Sequence, residues 1–220
     1  MTSESVTAMP SPVLVIPVGS FEQHGPHLPL DTDSRIALAL AERLVAALSA
    51  NAVLGPTITV TASGEHQGFA GTLSIGTQTT TRVFEEIARS ADWAAGIVFV
   101  NGHGGNADAI AAARGTMHTE GRHVLFWSPS AQPGDDHHAG LTETSVMMHL
   151  DPSSVDTSRF VAGNTAPIAD ISSALRTHGV KGVSPNGILG DPSGSSAEHG
   201  RHLFERWAAE LVAAVRAWSS

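Results

Sequence analysis

Two short runs, VLVIPV (Val13–Val18) and GIVFV (Gly96–Val100), contain no polar side chain and are rich in β-branched residues. A strand with one wet face alternates polar and apolar residues. An unbroken apolar run of this length belongs to a strand covered on both faces, as in a parallel sheet with helices on either side. HVLFW (His123–Trp127) and AVLGPTITV (Ala52–Val60) read as two more strands. Helices are expected between them. Ile36, Leu40, Leu44 and Leu48 recur every four residues after Thr32 or Asp33, either of which is placed to cap the helix start. Thr79–Trp93, Ala107–Thr119 and Thr144–Leu150 read as further helices. In the last helix Ser195 and Glu198 form a capping box ahead of a stripe of Phe204, Trp207, Leu211, Val215 and Trp218. The stretch 151–193, rich in Pro, Gly and Ser, reads as loops. Strands alternating with helices predict an α/β fold, a layered α/β/α domain with a mostly parallel sheet over 13–220, behind a flexible tail at 1–12.

The length of 220 residues suits one domain, and 41% hydrophobic residues are enough for its core. A net charge of −9, with no Lys/Arg cluster, excludes a nucleic-acid partner, because a phosphate backbone demands a basic footprint. The absence of cysteine removes disulfides, thiolate nucleophiles and thiolate metal sites, so any metal must be held by His and carboxylate. No apolar stretch is long enough for a membrane span, and MTSESVTAMPSP lacks the basic and apolar regions of a secretory signal, so a cytoplasmic protein is expected.

Ligands in open α/β sheets bind where the loops leave the carboxyl ends of the strands. In this chain those loops are crowded with carboxylates and imidazoles: Glu22, His24, His27, Asp31 and Asp33 after the first strand; Asn101, His103 and Asn106 after Gly96–Val100; Asp135, Asp136, His137, His138 and Glu143 after His123–Trp127. Such a donor set suits zinc, iron or manganese, and a carboxylate such as Asp33 can bridge two ions. NGHGGN lacks the glycine spacing of a phosphate loop, and no G-x-S-x-G elbow marks a serine nucleophile. A non-catalytic metal-binding or sugar-binding module is the competing class. Spare polar groups such as His27, Asp31, Glu65 and His66 argue against it, because a structural metal site is closed.

GSFEQHGPHLPLDTD, SGEHQGFAGTLS, NGHGGN, HHAGLTETS and GILGDPSGSSAEHG together resemble the creatininase, or creatinine amidohydrolase, family over nearly the whole chain. The resemblance implies a metal-dependent amide hydrolase with two divalent ions (Fe²⁺ and/or Zn²⁺, with Mn²⁺ possible), assembled as a hexamer or another closed homo-oligomer. It places Glu22, His24, Asp33 and His103 as metal ligands, Asp33 bridging. Creatinine hydrolases carry a further Glu ligand two residues after the His of Asn-Gly-His; Gly105 stands there in this chain, and Glu143 is the expected replacement. His138 is the expected proton shuttle beside Glu143, and His66, Trp127 and Asp135 are expected at the substrate. A tryptophan that sandwiches creatinine in those hydrolases is replaced by Gly134, so the pocket should be more open. DTD, NGHGGN, HAG-x-x-ETS and SPNG-x-LGDP are most similar to a peptidase branch of the family, which releases a modified C-terminal Val-Tyr unit from a precursor peptide. Creatinine or formamide-type amides are the alternative substrates.

Overall fold

The computed structural model describes residues 1–219. Its sheet has four strands, β1 (Val13–Val18), β2 (Ala52–Leu54), β3 (Gly96–Asn101) and β4 (Val124–Trp127), in the order β2-β1-β3-β4 with every pair parallel. Among the described residues seven α-helices accompany them: α1 (Ser3–Thr7), α2 (Thr32–Leu48), α3 (Gly76–Ser90), α4 (Ala107–Thr119), α5 (Leu141–Leu150), α6 (Ile168–Val183) and α7 (Ala197–Trp218).

Successive strand residues point to opposite faces, and the two apolar runs fill two cores. Leu14, Ile16, Val18, Ile97 and Phe99 pack with Phe84 and Ala88 of α3 and with Ile110 and Met117 of α4. Val15, Val98 and Val100 face the other way, onto Leu40 and Leu44 of α2, Val146 of α5 and Leu211 and Val215 of α7. The layers are therefore α/β/α, and the strand ends open on one rim.

Three local readings are corrected, and a helix is found in the tail. Strand β2 stops at Leu54 rather than Val60, since Gly55-Pro56 ends the ladder, although Ile58 still bridges to Val18. Helix α6 lies inside the stretch read as loops; its pattern is hidden by Gly179, whose φ of 66° kinks it. Residue Ser196, not Ser195, caps α7 by accepting from the His199 N–H. The first twelve residues hold α1, closed by a capping box from Thr2 and Ser5, and Val6 and Met9 rest against the α3/α4 core.

Candidate metal centre

The loop after β1 folds back on itself, Glu22 N–H donating to Leu30 O at 2.9 Å, so that Glu22 and His24 meet the first turn of α2. Neither Thr32 nor Asp33 caps that helix. The N-cap is Asp31, without a side-chain cap bond, and its carboxylate pairs instead with Arg35. Thr32 donates to Pro29 O, and the buried Asp33 carboxylate turns inward, where Ser20 Oγ donates to its Oδ2 at 2.8 Å.

Two imidazoles approach Asp33 from opposite sides. His24 Nε2 is 3.1 Å from Oδ1, and His103 Nδ1 is 3.1 Å from Oδ2. The far nitrogen of each ring donates to a main-chain carbonyl, His24 Nδ1 to Glu22 O at 3.0 Å and His103 Nε2 to Ala62 O at 2.9 Å. Histidines that bind metals are held in this way, the outer N–H fixed so that the inner lone pair faces the ion. Asn101 and Asn106 brace the His103 loop, with Asn101 donating to His103 O and Asn106 to the Asn101 side chain.

Glu22 is fully buried, and neither of its carboxylate oxygens has a hydrogen-bond partner among the described residues. An acceptor pair left this way in a protein interior is costly unless a cation belongs there. Glu22 Oε2 is 3.3 Å from His103 Nε2 and Oε1 is 3.2 Å from His66 Nε2. Glu143, in the first turn of α5, lies 3.9 Å from His24 Nε2 and accepts the Ala139 N–H at 2.6 Å. Ala139 takes a left-handed φ of 52° to aim that N–H. Three groupings of donors could hold an ion: Glu22, His24 and His138; Glu22, Glu65 and His103; His24, Asp33 and Glu143.

The electrostatics agree with that fit. Burial opposes charge on His24 and His103, yet the carboxylates around them lift both to about 10: Asp33, Glu143 and Glu22 act on the first, and Glu22, Asp33 and Glu65 on the second. Burial raises Glu22 to about 7 and Glu143 to about 8. Burial also works against an ionised Asp33, but the two imidazoles hold it well below the usual range. Protons on the imidazoles thus supply positive charge that ions would otherwise bring, and metal uptake would displace them.

His138 and His66 are different. Burial first, then the charges of His24 and His66, push His138 well below its ordinary value; burial with His24 and His103 takes His66 down to about 3. Both rings are neutral. His138 Nε2 donates to Gln23 O at 2.9 Å, which leaves Nδ1 facing Glu22 Oε1 and Glu143 Oε2 at 3.9 and 4.0 Å. The Gln23 amide, set by accepting from Gly25 N, donates to His66 Nδ1 at 2.8 Å and to Gly187 O at 2.9 Å.

Glu22, His24, Asp33, His103, His138, Glu143 and His66 therefore come together, and Trp127 and Asp135 stand apart. Trp127 follows Phe126 on β4, and the alternation of the strand puts it against the core under α7 instead of beside the imidazoles. Asp135 lines the adjoining pocket, but Arg206 at 3.0 Å and the Gln132 N–H at 2.8 Å hold its carboxylate. The supposed spare groups His27 and Asp31 also lie elsewhere, His27 on Thr144 at 2.9 Å and Asp31 on Arg35. The loop after β2 is a fourth contributor, bringing Ala62, Glu65 and His66. The adjoining pocket, about 520 Å³, is bounded by His103 and Glu143 at one end and by Ile36, Ile110, Arg114 and Trp207 beyond.

A parallel α/β/α sheet carrying this His/carboxylate rim matches the creatininase family model, described as creatinine amidohydrolase, over residues 1–215. The chain belongs to the creatininase family, hydrolases that act on C–N bonds. Among curated relatives it is 49% identical over 217 residues to the mycofactocin precursor peptide peptidase of Mycobacterium tuberculosis, covering 94% of this chain and 86% of that one. The peptidase of the same name from Mycolicibacterium smegmatis is 47% identical over 212 residues, with 94% and 85% covered. The creatinine amidohydrolase of Pseudomonas putida is 28% identical over 177 residues, 68% of each chain. Among solved structures, a creatininase mutant complexed with creatine superposes with a TM-score of 0.81 at 24% identity over 100% of this chain and 96% of the other, which bears on the fold.

Proposed function

We propose that this chain is a metal-dependent peptidase that cleaves the mycofactocin precursor peptide, releasing its modified C-terminal Val-Tyr unit. The observation that carries the reading is the Glu22 carboxylate, fully buried among the imidazoles of His66, His103 and His138 with neither oxygen hydrogen-bonded among the described residues. Two divalent ions would fit the donor set and would be held by Glu22, His24, Asp33, His103 and Glu143, Asp33 lying 3.1 Å from both His24 and His103. Bound there, such ions supply Lewis acidity and lower the pKa of water toward about 7.

The residues of the chain do the rest. His138 is neutral with its Nδ1 lone pair turned into the centre, so it can accept a proton from water and return it to the departing amine. Gln23, through its main-chain oxygen, keeps the ring in that orientation. Glu143 stands between His24 and the pocket, where it both holds an ion and faces substrate. The adjoining pocket, about 520 Å³, is large for a small ring such as creatinine, although Gly134 does not line it. A peptide substrate is supported by identities of 47–49% to the named peptidases against 28% to the creatinine amidohydrolase. A closed homo-oligomer such as a hexamer belongs to the same proposal, and light scattering tests it.

The test is hydrolysis of the modified precursor peptide followed by mass spectrometry, with zinc, iron or manganese restored to chelator-treated protein. Release of the C-terminal unit only with metal supports the reading. Turnover of creatinine or formamide with an intact peptide would replace it with the small-amide alternative.

A further inference from the structure

Gly105 is occupied space. A Cβ at this position would overlap Glu65 Oε1 and the edge of the His103 ring, and would lie 2.8 Å from Ala62 O. Gly105 does not have the positive φ that would demand glycine for its backbone, so the missing side chain makes room. What fills the room is the carboxylate of Glu65, whose Oε1 is 3.4 Å from His103 Nε2. That carboxylate accepts no hydrogen bond from another residue among the described ones. Its segment is held from outside as well: Gly179, at the kink of α6, lies so close to Glu65 O that a Cβ there would come within 2.7 Å, and Lys181 Nζ donates to Gly68 O at 2.8 Å.

We propose that Glu65 is a positioning residue for His103, the outer carboxylate on the N–H side of that ring, seated in the space Gly105 leaves open. His103 Nε2 already donates to Ala62 O at 2.9 Å, which commits Nδ1 to Asp33 and the ion side. Glu22 Oε2 at 3.3 Å and Glu65 Oε1 at 3.4 Å flank that same N–H. Glu65, the one of the two that reaches solvent, is the outer member, and it steadies the ring and makes its inner nitrogen a better donor, as outer carboxylates do for metal-bound histidine. Glu22 supplies the independent sign that a cation belongs here, being fully buried with neither oxygen hydrogen-bonded among the described residues. The inference rests on the two-ion reading of the centre.

The experiment uses the full chain, Zn²⁺ as probe, elemental analysis for ion count and competition with a chromogenic chelator for affinity. Wild type should hold two ions. Glu65→Gln should still fill both places at saturating zinc, with one ion weakened about 10- to 100-fold. Gly105→Ala should weaken the same ion by displacing Glu65, whereas Glu143→Gln should weaken the other. The melting temperature of the metal-free Glu65→Gln protein should match wild type. Unchanged affinity overturns the proposal, and so does one ion missing at saturation, which would make Glu65 a ligand. Equal loosening of both ions with a lower metal-free melting temperature would make it a fold-holding group and overturn it equally. A wild-type chain that takes up no zinc overturns the reading of the centre, whereas two wild-type ions with an indifferent Glu65→Gln overturn this inference alone.

Discussion

The two halves of the centre share Asp33 and otherwise differ. On the Glu22/His103 side the carboxylate is wholly enclosed and has no hydrogen-bond donor, and its partner ring hangs from the end of β3 in the middle of the sheet. On the His24/Glu143 side the carboxylate is 18% exposed, already accepts a main-chain N–H, and borders the pocket. On the proposed two-ion reading, the first half would retain a cation and the second would exchange partners with a substrate. Enclosure and reactivity have been divided between two places about one carboxylate apart.

The heaviest test of that division is Asp33→Ala, which removes the oxygens facing both imidazoles. It should abolish metal retention and activity together, as read by elemental analysis of dialysed, folded protein. Near two ions per chain in that variant would refute the bridge. His138→Ala should keep both ions and lower turnover by about 10²- to 10⁴-fold, the usual worth of a proton-transfer group; lost metal would move His138 among the ligands. Glu143→Gln should leave about one tightly held ion, because an amide oxygen is a poorer donor than a carboxylate. Retention of both with equal affinity would return Glu143 to a supporting role. Ion removal itself should lower the melting temperature relative to protein in zinc at 100 times its Kd. Binding then contributes about 2.7 kcal/mol, or roughly 5–10 °C for a chain of this size, and superimposable melts would argue that no ion binds the native state. The smallest effect is expected for Ala139→Gly, which relieves a left-handed φ while keeping the N–H that Glu143 accepts. Activity within about threefold of wild type is expected on the view that Ala139 acts through its main chain alone.

What was readable beforehand divides along physical lines. Strands β1 and β3 were legible because burial on both faces leaves no polar residue to confuse the pattern. Helix α6 was not, since its amphipathic stripe is interrupted where Gly179 leaves helical geometry. Asp33 looked like a cap because an aspartate at a helix start usually is one; two imidazoles in space, invisible in sequence, claimed its oxygens instead. The structure brings the family-motif residues Glu22, His24, Asp33, His103 and Glu143 to one place, whereas Trp127 lies apart from them by a parity along β4 that only the register of the strand decides. Gly105 was legible as a missing carboxylate against the family motif, but that the Glu65 side chain occupies the space it leaves is decided only by the fold.

Asp33 also belongs to a rod. It rides on the first turn of α2, three residues before Ile36 and on the same helix as the fully buried Leu40 and Leu44, whose packing joins α2 to the sheet and to α7. A helix transmits displacement along its axis with little give, so the centre has no suspension of its own. Warming should therefore release the ions and melt the helix in a single cooperative step. A core truncation such as Leu40→Ala, costing about 2–5 kcal/mol, should lower the temperature of both by the same amount, tying the thermal limit of the catalyst to the packing of a leucine that never meets the substrate.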